Sequence, residues 1–393
     1  MSDAGRFGRE RLMEEAVVRT GQDDWGDADW TEALDILLGS LVGEARLNSL
    51  GVEVVAGELA AYLDTRLTLT GWRRDHPEVA TGTISQPIVI VGQPRTGTTI
   101  LFDLLAQDPE LHAPLSWEVD RPVPPPEAAT YTTDPRIAEV QETIDMVETV
   151  MPGFTAFHPM GALLGQECVR ITGGAFRSMI FNTQYRIPTY NRWLLGEADL
   201  APAYRWHRRY LQHLQSRNPV GQWLLKSPAH LWHLDALAGE YPDALVVQTH
   251  RDPLKVITSL SALVAHLRSM SSDDVDIGEI AAGYADDIFL GLARGTDARD
   301  RDVLPPGRII DVQFASFMSD PLQVVGAIYT ALGKELTADT ERAMREFLAA
   351  NPGDGGGGGT RYTFADTGLD EDDLRQRSTA YQERFGVPSE PVV

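Results

Sequence analysis

Residues 87–99 of the chain have the sequence Pro-Ile-Val-Ile-Val-Gly-Gln-Pro-Arg-Thr-Gly-Thr-Thr, in which a short apolar run leads into a glycine-containing turn. The apolar run predicts a buried strand, and residues 100–106 predict a helix. Such a strand, loop and helix N-terminus form a phosphate site, because backbone N–H groups and the positive end of the helix dipole face the anion. Arg95 adds a charge to the loop, and Thr98 and Thr99 add hydroxyl donors.

The loop differs from a Walker A loop in the position of its cation. The spacing of Gly92 and Gly97 fits the pattern G-x-x-x-x-G-K-[ST], but Thr98 stands where that pattern has lysine. A kinase or ATPase uses that lysine on the terminal phosphates of its nucleotide. The cation here is Arg95, inside the turn, so a P-loop nucleotide kinase or NTPase is the alternative hypothesis rather than the first one.

A second motif follows the apolar residues 244–250, which predict another strand. The chain continues with Arg251, Asp252 and Pro253, and Ser259 follows eight positions after the arginine. The guanidinium of Arg251 is a planar fork suited to phosphate, and Pro253 suits the first turn of a helix. Ser259 lies about two turns along that helix, which allows its hydroxyl to face the same anion.

A third motif, residues 223–231, has the sequence Trp-Leu-Leu-Lys-Ser-Pro-Ala-His-Leu and predicts a strand that ends near Lys226. A weaker fourth match, residues 311–321, precedes a predicted helix. In this order the motifs resemble those of sulfotransferases that use 3′-phosphoadenosine 5′-phosphosulfate (PAPS). The resemblance covers residues 87–260 most strongly and is greatest to the bacterial, mycobacterial-type branch.

The resemblance implies an α/β fold with a P-loop-like central parallel sheet flanked by helices. It implies an enzyme of the EC 2.8.2 type that moves a sulfuryl group from PAPS to a hydroxyl and leaves adenosine 3′,5′-bisphosphate (PAP) as product, without a metal. We expect two sets of nucleotide contacts. The residues that match the family's 5′-phosphosulfate loop are Arg95, Thr96, Gly97, Thr98 and Thr99, and those assigned to the 3′-phosphate are Arg251, Ser259 and Arg361.

The predicted catalytic residues are Arg95, Lys226 and a general base. Lys226 matches the family lysine near the bridging oxygen or the sulfate. Glu118, at the end of a strand predicted over residues 115–119, is the first choice of base, and His230 is the second. Glu118 could instead be a surface or helix-capping acid, and His230 could be a structural histidine.

Residues 353–359, which include six glycines, precede Arg361 near the end of the chain. The family has a glycine-rich, basic loop in this region that closes over the 3′-phosphate. Here glycines replace most of the expected cations and Arg361 remains. The segment therefore predicts either a lid of backbone N–H groups or a flexible linker.

The amino-acid composition indicates the cell compartment of the protein and the class of acceptor that it favours. The single cysteine, Cys168, excludes an intrachain disulfide, and no apolar run approaches the roughly 18 residues of a membrane span. Without a signal-peptide pattern, the chain is predicted to be cytoplasmic.

The net charge of −23, from 34 basic and 57 acidic residues, argues against nucleic acid and polyanionic sugars as binding partners. A small or lipid-like hydroxyl acceptor is the remaining prediction, although the acid excess could serve solubility alone.

The predicted organisation has three parts. Residues 1–80 form an N-terminal helical cap, in which Thr31 is a possible N-cap. Residues 81–350 form the sulfotransferase core, with a mainly helical acceptor-side insert over 134–218 that is rich in aromatic residues. These rings predict core packing or the wall of an acceptor pocket. Residues 351–393 hold the glycine-rich loop and a final helix.

A non-catalytic nucleotide- or lipid-binding scaffold is the third functional hypothesis, and a nucleotide-binding measurement would separate a lipid-binding scaffold from the others.

Overall fold

The computed structural model describes residues 6–150, 159–351 and 362–392. Its strands are β1 (Ile88–Gly92), β2 (Leu111–His112), β3 (Gln222–Lys226), β4 (Leu245–His250) and β5 (Ile309–Gln313). Its helices are α1 (Arg9–Thr20), α2 (Thr31–Glu44), α3 (Ser49–Asp75), α4 (Thr98–Leu105), α5 (Ser116–Asp120), α6 (Pro135–Val150), α7 (Cys168–Gly173), α8 (Ile180–Gln184), α9 (Pro188–Gly196), α10 (Ala201–Leu214), α11 (Leu234–Glu240), α12 (Pro253–Ser271), α13 (Ile277–Asp300), α14 (Phe314–Ser319), α15 (Pro321–Leu332), α16 (Ala338–Ala350) and α17 (Glu371–Phe385). Short 3₁₀ helices cover Pro77–Thr81, Pro228–His233 and Ala365–Thr367.

The five strands form one parallel sheet in the order β2-β3-β1-β4-β5. β1 is central, and its Ile88 pairs with Leu224 of β3 on one side and Leu245 of β4 on the other. In a parallel sheet the carboxyl ends of neighbouring strands meet at one edge, and order reversals there create a ligand crevice. The three motifs that follow β1, β3 and β4 therefore meet at this edge, and the predicted P-loop-like sheet is confirmed.

The apolar run that predicted β1 is buried because helices cover both faces of the sheet, as parallel sheets require. On one face α4 packs Leu101 and Leu104 into a core that includes Val325 and Ile328 of α15. Burial of each such side chain contributes roughly 1.5–3 kcal/mol. This packing fixes the N-terminus of α4 beside the end of β1.

By compactness the chain divides into two units. The first unit comprises Met1–Ile84, Leu115–Pro219 and His266–Val275, and the second comprises Ser85–Pro114, Val220–Ala265 and Asp276–Val393. The first unit is largely helical, and the second holds the sheet. Within the described ranges, no helix is long and apolar enough to cross a membrane.

Aromatic residues form the core of the first unit. Phe176, Phe181 and Tyr190 are each at most 1% exposed. The ring centroids of Phe176 and Phe181 lie 6.4 Å apart, and those of Phe181 and Tyr190 lie 6.0 Å apart in an edge-on contact. These rings are therefore packed against one another as core residues, the first of the two interpretations that the sequence allowed.

Two local predictions are wrong. Residues 115–119 were predicted as a strand, but Ser116–Asp120 is the short helix α5, and the strand of this region is β2. The Glu118 carboxylate accepts the N–H of Leu115 at 2.8 Å, which stabilises a helical turn instead of an extended chain. Thr31 is the first residue of α2 and Trp30 is its N-cap; the Thr31 hydroxyl donates to the carbonyl oxygen of Ala28 instead of capping the helix.

Candidate active site

The loop between β1 and α4 requires its two glycines. Gly92 has φ of 136°, and a Cβ there would lie 2.3 Å from Thr249 Oγ1. Gly97 has φ of 87°, and a Cβ there would lie 3.1 Å from the ring of Phe314. Gly97 also occupies the N-cap position of α4 and has no side chain with which to cap the first N–H groups. The loop thus forms a tight backbone cradle at a helix N-terminus, the arrangement that binds phosphate.

Hydrogen bonds within the second unit hold the loop in this shape. The hydroxyl of Thr96 contacts the carbonyl oxygen of Gln93 and Oγ1 of Thr249, both at 2.6 Å. Gln93 Nε2 donates to the carbonyl oxygen of Ile288 in α13 at 3.1 Å. Thr96 was predicted to bind the cofactor, and its hydroxyl is engaged in these internal contacts.

The structure brings the first and second motifs together. Arg95, which has φ of 67°, donates from Nε to Oγ of Ser259 in α12 at 3.0 Å. Arg251 donates from Nη1 to the carbonyl oxygen of Arg95 at 3.1 Å. Three residues that the sequence assigned to opposite ends of one nucleotide are therefore in direct contact.

Arg251 is also bound by residues that sequence reasoning missed. Its Nε and Nη2 each donate at 2.9 Å to the carboxylate of Glu390, and its guanidinium lies 4.0 Å from the ring centroid of Phe314. No motif flagged Glu390, because it lies 139 positions along the chain from its partner. Phe314 lies within the weak fourth motif, which was the one available signal.

Lys226 is buried at the end of β3, with 1% of its surface exposed. Its Nζ donates to Oγ1 of Thr99 at 3.3 Å and lies 5.4 Å from the ring centroid of Phe102. The third motif thus places an ammonium group at the first turn of α4. Thr98, the remaining predicted ligand of this turn, is buried as well.

His230 follows on the 3₁₀ helix Pro228–His233 and is 2% exposed. Ser227 is the N-cap of this helix: its Oγ accepts the N–H of Ala229 at 3.2 Å, and its own N–H donates to the carbonyl oxygen of Ile90 in β1. His230 is therefore fixed at the same sheet edge as Lys226, which leaves it a candidate for proton transfer.

Glu118 belongs to the first unit, where it is fully buried. One carboxylate oxygen accepts the Leu115 N–H, as described above. Burial first, and then the charge and hydrogen bond of Glu118, raise the pKa of the Tyr131 phenol well above its ordinary value. Tyr131 consequently stays protonated at neutral pH and donates to Glu118. The surroundings of Glu118 in its own unit are those of a helix-capping carboxylate.

Arg361 and the glycine-rich residues 353–359 lie outside the described residues. Across the ranges that are described, no group of three or more histidine, cysteine, aspartate or glutamate residues is arranged to hold a metal ion.

Comparison with known proteins identifies relatives of the whole chain. A model of the sulfotransferase family matches residues 87–338. The structure is similar to that of sulfotransferase STF9 from Mycobacterium avium, with a TM-score of 0.88 and 30% identity over 97% of each chain. It is also similar to sulfotransferase STF1 from Mycobacterium tuberculosis H37Rv, with a TM-score of 0.84 and 31% identity over 95% of this chain and 98% of that one. A search of curated proteins finds no match.

Proposed function

The chain belongs to the sulfotransferase family, and we propose that it moves a sulfuryl group from PAPS to a hydroxyl of a small or lipid-like acceptor. Family and fold make it an enzyme with sulfotransferase activity. The identity of the donor, the residues that bind it and the class of acceptor are the proposed parts.

One observation carries the choice of donor. Arg95 of the loop and the pair Arg251 and Ser259 are joined by hydrogen bonds at the carboxyl edge of the sheet. The proposal is that these residues bind the two anionic groups of PAPS, the 5′-phosphosulfate and the 3′-phosphate. We assign Arg95, Thr98, Thr99 and the backbone around Gly97 to the former group, and Thr96 to bracing the loop.

The residues present suit such a nucleotide. The two glycines leave a backbone cradle that a Cβ would fill, and the fork of Arg251 already holds a carboxylate. Thr98 replaces the lysine that a kinase uses on its terminal phosphates, which argues against the kinase alternative. Arg361 stays a predicted 3′-phosphate ligand.

PAPS supplies the sulfuryl group and PAP is the leaving group. A bond forms between the acceptor oxygen and sulfur, and the bond from sulfur to the bridging phosphate oxygen breaks. Lys226 and Arg95 stabilise the negative charge that develops on that bridging oxygen. A general base takes the acceptor's proton, with Glu118 as first candidate and His230 as second. This scheme requires no metal.

The acceptor proposal depends on charge. With a net charge of −23, the enzyme repels polyanionic acceptors, so phenols, sterols and glycolipids are more suitable than sulfated sugar chains. A panel that contains both kinds of acceptor tests this with labelled donor. Transfer to a sulfated glycan alone would contradict it.

The location of the protein in the cytoplasm, where PAPS is made, stays a prediction.

Calorimetric titration with PAP, beside ATP with Mg²⁺, tests the donor. We expect binding of PAP that is weakened in Arg95→Ala and in Arg251→Ala. The matched control is Arg345→Ala, which removes the same charge from an exposed ion pair with Glu341. Binding of ATP with Mg²⁺ but not of PAP would contradict the proposed donor, and binding of neither would contradict the proposed nucleotide site.

A further inference from the structure

The C-terminal segment, defined as residues 386–392, places a carboxylate on the arginine assigned to the 3′-phosphate. Glu390 accepts from Nε and Nη2 of Arg251, each at 2.9 Å, in a bidentate pair. The side chains of Arg251 and Glu390 are 21% and 29% exposed, so a solute can reach the pair from solution. The two-donor edge of the guanidinium that best matches a phosphate is therefore occupied by the chain's own anion.

Other contacts hold Glu390 at this position. Its backbone N–H donates to Oδ2 of Asp252 at 2.6 Å, and its carbonyl oxygen accepts from Nη2 of Arg375 at 2.7 Å. Arg375 Nη1 donates to the same oxygen of Asp252, also at 2.6 Å. Asp252 is 1% exposed and lies next to Arg251 in the second motif. The segment thus contacts both charged residues of that motif.

The start of the segment is anchored separately. His250 Nδ1 pairs with the hydroxyl of Tyr381 at 2.7 Å, and Gln313 Nε2 donates to the carbonyl oxygen of Phe385 at 2.6 Å. Gly386 ends α17 with φ of 65°, and the following Val387 is buried. Helix α17 can therefore stay in place while residues 388–392 move, which makes Glu390 exchangeable without unfolding the helix.

We propose that Glu390 is an intramolecular competitor of the donor's 3′-phosphate, and that nucleotide binding displaces it from Arg251. This rests on the proposed role of Arg251 in binding that phosphate. Arg251 gives Nη1 to the Arg95 carbonyl oxygen and its Nε and Nη2 to Glu390, so a phosphate that takes the two-donor Nε–Nη2 edge replaces the carboxylate. Two anions on one guanidinium would also repel each other. In the free enzyme the Glu390 carboxylate therefore holds this edge of Arg251 until a phosphate of higher charge replaces it.

The competitor acts only on ligands that carry a 3′-phosphate, which gives it a specific signature. In Glu390→Ala the affinity for PAP should rise roughly fivefold, the value of a partly exposed bidentate ion pair. The affinity for AMP, which lacks the 3′-phosphate, should stay unchanged. Glu390→Gln should resemble the alanine variant, since it keeps the shape of the side chain and loses the charge.

The experiment is calorimetry with PAP and with AMP on the wild type, Glu390→Ala, Glu390→Gln and the control Glu383→Ala. Glu383 is an exposed residue of α17, and its loss changes the net charge equally. Hydrogen exchange of the wild-type C-terminal peptide supplies a readout that needs no variant. Because the Glu390 N–H bonds Asp252, we expect saturating PAP to speed exchange in this peptide and AMP to leave it unchanged.

The outcomes separate this inference from the function on which it rests. One outcome would overturn the competitor alone. In it both Glu390 variants bind PAP with unchanged or lower affinity, while the wild type still prefers PAP to AMP and loses this preference in Arg251→Ala. Slower exchange of the C-terminal peptide with PAP would do the same. A wild type that binds PAP no better than AMP would overturn the 3′-phosphate site and the competitor together.

Discussion

Arg251 donates a hydrogen bond from Nη1 to the carbonyl oxygen of Arg95 across 3.1 Å. Arg95 has a positive φ, which a non-glycine residue adopts only when its surroundings hold it there. The side chain assigned to the 3′-phosphate thus supports the backbone of the loop assigned to the 5′-phosphosulfate. The two halves of the donor site are structurally coupled, and the first prediction tests that coupling.

Arg251→Lys should weaken binding at both ends of the nucleotide. Lysine keeps the charge but lacks the planar fork, so it cannot give a phosphate a two-donor edge while a separate nitrogen bonds the Arg95 carbonyl oxygen. We expect PAP affinity to fall at least about tenfold and AMP affinity to fall roughly fivefold, the value of one hydrogen bond. Calorimetry with both ligands measures this, with Arg345→Lys as control. An unchanged AMP affinity would show that the loop does not depend on Arg251.

Ser259→Ala should weaken PAP binding through Arg95. The Ser259 hydroxyl accepts from Arg95 Nε, and its loss removes one contact that orients this side chain. We expect roughly a fivefold rise in the dissociation constant. Thr258→Ala is the matched control, because the hydroxyl of the neighbouring Thr258 donates within α12, to the Leu254 carbonyl oxygen. Equal losses in the two variants would indicate a general effect on the helix.

Local sequence predicted much of the fold because its signals are local. The apolar runs that became β1, β3 and β4 are long enough to be buried, and each ends at a motif residue such as Lys226. The final helix, α17, follows its Asp370 cap and ends at Gly386, as turn and cap preferences require. The shared sheet edge then follows from parallel pairing alone.

The missed features depend on tertiary structure. Glu390 reaches Arg251 only because α17 packs on β4 through Tyr381 and His250, a contact that no spacing in the sequence encodes. Residues 115–119 have the apolar content of a strand, but the Glu118 cap makes them helical. Motif spacing predicted Arg95 and Ser259 as separate ligands and did not show that they bond each other.

Lys226→Met should lower turnover more than donor binding. Methionine fills a similar volume, so the fold should keep its stability when this buried ammonium is removed. If Lys226 stabilises charge on the leaving oxygen, kcat should fall by about 10²–10³, with PAP affinity changed only a few-fold. Turnover at saturating donor and acceptor, together with calorimetry, measures both quantities. A normal kcat with a lowered melting temperature would assign Lys226 a structural role.

Glu118→Gln should separate the general base from the helix cap. Glutamine still accepts the Leu115 N–H but cannot take a proton, so a catalytic Glu118 predicts a fall in kcat of about 10² or more. Tyr131→Phe is the control, since it removes one hydrogen-bond partner of the carboxylate and leaves the acid in place. We expect Tyr131→Phe and His230→Gln to retain most of the turnover. A large loss in His230→Gln alone would make His230 the base.

His213→Gln should reduce the sensitivity of the protein to acid. Burial lowers the pKa of His213 from 6.5 to about 4, and its Nε2 donates to the carbonyl oxygen of Pro122 at 2.9 Å. Between these pKa values the unfolded chain binds a proton that the folded chain does not, so stability falls as pH falls below about 6.5. For this one residue the loss between about pH 7 and pH 5 is about 2 kcal/mol. Glutamine keeps a donor for Pro122 and does not titrate, so unfolding free energies from urea titrations at the two pH values should differ less in the variant. Equal losses in variant and wild type would show that His213 is protonated without cost in the folded protein.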